Sequence, residues 1–136
     1  MDQPAAWVYG LIRVLSCGVW LFAGLYKALH FTETVADMKR HRLSLAAYLL
    51  PVVLTMELVG CILLVANIQV WAVALVWIAF TIPATMLYHW PMRIEGVIIF
   101  PQLVQYSKNL SIMGGLLALM LLDPAKPAWL RALVTS

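Results

Sequence analysis

The sequence predicts an all-α membrane protein, a four-transmembrane-helix bundle with short interfacial segments. Two observations carry this. Of 136 residues, 64% are hydrophobic and only 11% charged, where soluble domains have roughly 45–50% apolar and about 25% charged residues; the mean hydropathy is +0.92. The apolar residues also gather into four stretches, each close to the ~20 residues that cross a bilayer. A chain of this length holds four such helices in one domain, residues 1–136, with no separate soluble domain expected inside it.

Helix one is expected over about residues 6–29. Asp2 is the only charge before Arg13, and Arg13 interrupts the place where the apolar core of a secretory signal would run, so no signal is read there. Val14-Leu15-Ser16-Cys17 looks like a lipoprotein box but lacks the required upstream regions. Residues 31–44 form the only strongly charged loop. Phe31, Val35, Met38 and Arg42 recur at helical spacing, with Thr34 and Asp37 as a capping pair, which fits an amphipathic surface helix; a solvated loop is the alternative.

Helix two is expected over about 45–66 and helix three over about 70–88, joined by the tight turn Asn67-Ile68-Gln69. The stretch from Pro91 to Pro101 is longer than a tight connection needs, and Val97 to Phe100 is expected to dip into the interface. Helix four is expected over about 102–122, starting after a helix-initiating proline and ended by Asp123-Pro124. Trp129, Leu130 and Leu133 suggest a second surface segment. Tyr48, Trp71, Tyr88, Trp90 and Trp129 fall near span ends, as an aromatic belt requires.

The net charge of +3 does not point to nucleic acid, because the basic residues flank the spans and form no phosphate track. Lys39, Arg40, Arg42 and Arg93 follow helices one and three, against Lys126 and Arg131 on the other side. Positive-inside reasoning puts both termini outside the cytoplasm, in an integral protein of a bacterial inner membrane. Cys17 and Cys61 lie within spans without a metal-binding pattern and read as small buried residues.

Chemistry points to four charges inside the spans: Arg13, Lys27, Glu57 and Lys108. Each costs at least ~2.5–3.5 kcal/mol facing lipid, so each should face the bundle. Gly10, Arg13, Cys17, Trp20, Gly24, Lys27 and Phe31 make one stripe on helix one. Leu50, Val53, Glu57, Gly60, Leu64 and Asn67 make another on helix two, and Gln105, Lys108, Ser111, Gly115 and Ala118 a third on helix four. Alternating helix direction gathers Lys27, His89, Gln105, Lys108 and Asn109 at one end, with Glu57 beneath them and Arg13 in the opposite half. Glu57 is expected to pair with Lys27 or Lys108, or with Arg13 if the bundle tilts. Structural roles for the same residues would be snorkelling lysines, an ion pair that locks the bundle and an interfacial His89. His30 and His89 end at similar depth, but nothing else supports haem ligation.

These residues resemble a family. Arg13, Gly18, Phe22-Ala23-Gly24 and Lys27 look like the opening of DoxX-like small membrane proteins. Glu57-Leu58-Val59-Gly60-Cys61 is similar to that family's second helix, and Lys108-Asn109 followed by Gly114-Gly115-Leu116-Leu117 to its fourth. The likeness runs from about Arg13 to Leu122. It implies a four-helix inner-membrane protein. Some members accompany thiosulfate:quinone oxidoreductase or quinol oxidase, others methylamine utilisation, quinone resistance or redox stress, and distant eukaryotic relatives are membrane chaperones. The family has no settled catalytic set.

The expectation is therefore a membrane subunit or accessory protein of a quinone-linked redox system. A quinone headgroup would be met by Lys108, Asn109, His89 and Glu57, with its tail along Trp77 and Phe80. Its partners are the lipid bilayer and other membrane subunits or further copies of the chain. The alternative is a non-enzymatic assembly or scaffold subunit; a transporter fits less well because no broken-helix pair is visible.

Overall fold

A computed structural model describes residues 5–90, 93–94 and 96–135. Four long helices dominate it: α1 (Ala6–Leu29), α3 (Ala46–Val65), α4 (Val70–Tyr88) and α5 (Phe100–Leu122). The short helices α2 (Phe31–Arg40) and α6 (Ala128–Thr135) lie at opposite ends, and β1 (Arg93–Ile94) pairs antiparallel with β2 (Val97–Ile98). Helices α1, α3 and α4 are long and apolar enough to cross a membrane, which makes this an all-α integral membrane protein. The expected fourth span is not among them. Helix α5 has the length, at 23 residues, but its first half carries Gln102, Gln105, Ser107, Lys108, Asn109 and Ser111.

Helix α1 packs along α3, α4 packs along α5, and the two pairs meet around a core of Trp20, Cys61, Leu64, Trp77, Leu116 and Leu119. On α1 the buried positions Cys17, Trp20 and Gly24 follow the seven-residue seam, with Arg13 and Lys27 half-buried at its ends. Gly24 and Gly60 are needed for close approach. A Cβ on Gly24 would meet the Leu58 side chain at 2.9 Å, and one on Gly60 would meet the Trp77 ring at 2.7 Å. Trp77 thus sets the N–H edge of its indole against α3 and stacks on Trp20, with ring centroids 4.4 Å apart and planes 18° apart. The cysteines are free and buried side by side, each thiol 3.7 Å from the other's carbonyl oxygen.

Among the short connections, the start of α2 departs from expectation. Strands β1 and β2 form a small hairpin, with Gly96 at φ +81, and the chain enters α5 at Phe100. Val97 is 70% exposed there. Thr34 does not cap α2, because the helix begins three residues earlier; its hydroxyl donates to the His30 carbonyl at 2.9 Å instead. The turn between α3 and α4 uses left-handed backbone at Asn67 and Gln69.

Asp123 does more than end a helix. It is buried at 3% exposure and accepts from the Trp71 amide at 2.8 Å and the Ala125 amide at 2.9 Å. A carboxylate on the unsatisfied amides of the first turn of α4 joins the α5 C-terminus to the α4 N-terminus. Asp123→Ala is expected to cost about 1–2 kcal/mol in thermal unfolding, with Asp123→Asn recovering part of it.

Candidate functional site

Helix direction divides the intramembrane charges between two ends. At one end Arg13 is structural. Its Nη1 donates to the carbonyls of Leu64 and Val65, each at 3.1 Å, so the guanidinium caps the α3 C-terminus where the helix dipole is negative. The same group lies 5.1 Å above the Tyr9 ring.

At the other end Lys27 forms an ion pair with Glu57 Oε1. Side chains incline toward the N-terminus of their own helix, so a lysine in the last turn of α1 leans back into the bundle, away from the headgroups. Lys27 keeps 26% exposure while Glu57 has 1%. Glu57 Oε2 is buried without a hydrogen-bond partner.

Beyond the tight Gly60–Trp77 contact, α3 and α4 separate and leave a cleft of about 540 Å³. Its long walls are apolar: Leu49, Val53 and Met56 on α3 face Phe80, Ala84 and Leu87 on α4, and Met38 on α2 contributes at one end. Polar groups enter at few points. Lys27 reaches it from α1 and Asn109 from α5, with Thr34, Tyr88 and His89 also in the wall. Asn109 is held by its Nδ2, which donates to Thr85 Oγ1 at 2.9 Å; Thr85 and Thr81 in turn donate to the carbonyls four residues before them on α4. This leaves the Asn109 carbonyl oxygen and a second N–H available, and Lys27 has two donors beyond the one on Glu57. A long apolar cleft meeting a few fixed donors suits an amphipathic molecule with a hydrogen-bonding head.

Lys27, Glu57, His89 and Asn109 therefore do gather, through the cleft and the ion pair. Lys108 does not. It is exposed on the outer face of α5, and its ammonium makes no hydrogen bond or ion pair among the described residues. The expected α5 stripe is the wrong face: Ser111, Gly115 and Ala118 are exposed, while Leu116, Leu119 and Met120 are buried and Asn109 and Ile112 half-buried. Gln105 is half-buried but is not a wall of the cleft. Trp77 is sealed in the core, so of the two aromatics expected along the tail Phe80 lines the cleft.

Gln102 is the residue that sequence reasoning missed. Its Oε1 lies 3.0 Å from His89 Nδ1, pinning the imidazole between the end of α4 and the start of α5. The signal was available, since a glutamine in the first turn of one helix faces the last turn of its antiparallel neighbour. His30 is turned aside, stacked 4.3 Å from the Tyr26 ring and 3.0 Å from the Tyr26 carbonyl. Each of the two histidines thus has its Nδ1 on a protein partner.

The profile of the DoxX family matches residues 9–90, from α1 to the end of α4. No curated protein and no solved structure matches the chain.

Proposed function

Because the chain belongs to the DoxX family, we propose that it is an integral membrane subunit or accessory protein of a quinone-linked redox system, with a quinone-like headgroup at the Lys27 end of the α3–α4 cleft. The observation that carries this reading is the cleft itself: about 540 Å³ of apolar wall meeting Lys27 and Asn109. Quinone carbonyls accept hydrogen bonds, and the Lys27 ammonium and Asn109 amide donate them. An isoprenoid tail would lie between Val53, Met56, Phe80 and Leu87, where the cleft is apolar. Helix α5 is read as a fourth span. It lies alongside α4 over its length, from His89–Gln102 at one end through Thr85–Asn109 to Trp71–Asp123 at the other.

Asn109→Leu tests the headgroup contact. It removes a donor and an acceptor while keeping side-chain volume, so the helices should still assemble. Binding of a quinone analogue to the purified protein, read by quenching of tryptophan emission, should weaken by about tenfold or more, the size of one hydrogen bond of ~1.4 kcal/mol. Unchanged affinity in a folded Asn109→Leu protein transfers the conclusion to the scaffold reading. That reading has one observation in its favour, the exposed Lys108. An unpaired cation on a membrane helix calls for a partner subunit, another copy or a headgroup.

We read both termini as outside the cytoplasm, with α2 and the β1–β2 hairpin inside, because Lys39, Arg40 and Arg42 follow α1. A cysteine substituted at Ser136, which lies outside the described residues, should label with an impermeant maleimide in intact cells. Labelling only after permeabilisation reverses the orientation.

A further inference from the structure

Lys27 lines two cavities and its ion-pair partner Glu57 lines a third, and this arrangement reaches beyond quinone binding. On the α2 side lies a vestibule of about 410 Å³ walled by Tyr26, Lys27, Glu33, Asp37 and Arg40. Beside Glu57 is a small, partly open chamber of about 110 Å³, between Trp20 on α1, Glu57 on α3, Thr81 on α4 and Asn109 on α5. Lys27 lines the vestibule, its ammonium holds Glu57, and Glu57 lines the chamber. The cleft touches the same lysine from the lipid side.

Two walls of the chamber carry buried polar atoms without partners, Glu57 Oε2 and Trp20 Nε1. One is an acceptor and the other a donor. An unsatisfied buried group of this kind costs about 1–3 kcal/mol, more when charged, and a bridging water removes the cost. A water takes about 30 Å³ of liquid volume and needs two to four polar partners. The chamber has room for roughly three on that measure, and Asn109 and Thr81 also line it. Toward the Arg13 end the route stops at the stacked Trp20 and Trp77 rings, with Gly60 against Trp77.

We propose that these parts form a hydrated half-channel, open on the α2 side and closed at the tryptophan stack, which brings protons to the Glu57 carboxylate. A hydronium in the vestibule passes its proton through water to Glu57, giving a neutral carboxylic acid beside the Lys27 ammonium; release to water restores the ion pair. One proton is bound and one returned, with no other change. Several charges face this route. Glu33 and Asp37 of α2 attract the proton and Arg40 opposes it, while Lys27 of α1 favours the ionised carboxylate. His41, 3.7 Å from Asp37, lies against Tyr88 of α4 with the rings tilted and their centroids 4.2 Å apart. His89 lies in the cleft wall, and α5 contributes only neutral Asn109. No ligand in the cleft is required, so the inference stands or falls apart from the quinone reading.

The test uses the full-length protein in lipid nanodiscs without added quinone. Indole N–H exchange into D2O is followed by NMR with 15N-labelled tryptophan. Trp77 is the internal control, fully buried with its Nε1 donating to the Met56 carbonyl at 3.3 Å. The Trp20 indole should exchange at least about 100-fold faster than that of Trp77. Thr34→Phe, at the vestibule mouth, should slow Trp20 alone. In infrared spectra, acidification should raise a protonated-carboxyl band that shifts in D2O and is missing in Glu57→Gln. Trp20 as protected as Trp77, exchange unaffected by a folded Thr34→Phe, or no carboxyl band assignable to Glu57 would each overturn the half-channel. Should Thr34→Phe not fold, the wild-type comparison and the infrared band decide the matter.

Discussion

Glu57→Ala is expected to lower the unfolding free energy in mild detergent by roughly 3–5 kcal/mol, the usual cost of stranding one member of a buried ion pair. The loss follows from where Lys27 points. With the carboxylate gone, the ammonium either stays inside the bundle uncompensated or swings out and opens a void next to Gly24. Glu57→Gln keeps a carbonyl acceptor for Lys27 and removes the buried negative charge, so it should cost clearly less. Thermal unfolding of the three proteins in one detergent gives the order: parent, then Gln, then Ala. An Ala variant that melts with the parent would mean that the pair contributes nothing to the fold.

Trp77→Ala should be comparably severe, at about 3–5 kcal/mol for a large aromatic truncated inside a core. The ring is fully buried, it fills the space left by Gly60, and it stacks on Trp20. Its loss removes the wedge at which α3 and α4 part, so the cleft should collapse along with the core. Gly60→Ala attacks the same contact from the other side. Its methyl would sit 2.7 Å from a ring carbon, and overpacking of this kind costs about 1–3 kcal/mol. Unfolding midpoints should therefore fall in both variants, further in Trp77→Ala.

The helices were legible in the sequence because their boundaries coincide with strong local signals. Asn67 and Gln69 sit where the chain must reverse, and α4 spans Val70 to Tyr88 between that turn and the polar stretch that follows. The α1 seam was legible for a related reason, since Cys17, Trp20 and Gly24 contrast with the bulky apolar residues around them. Helix α5 offered no such contrast. Polar and small residues occupy both of its faces, so Lys108 and Asn109, adjacent in sequence and about 100° apart on the helix, looked equally suited to point inward. Only packing decides between them. Leu116, Leu119 and Met120 turn Asn109 toward Thr85 and send Lys108 outward. The Asp123 contact with Trp71 was hidden by distance along the chain, 52 residues. The cleft was hidden as well, because it comes from the separation of α3 and α4 beyond Trp77, and hydropathy carries no record of that.

Organic extraction of the gently purified protein tests the proposed quinone site in the cleft most directly. The parent protein, taken from membranes in mild detergent and freed of excess lipid, should yield quinone in near-stoichiometric amount on mass spectrometry, and Asn109→Leu prepared alongside it should yield far less. A parent protein that is folded and still bound to its membrane partners but carries no quinone, or an Asn109→Leu protein that carries as much as the parent, would contradict the account.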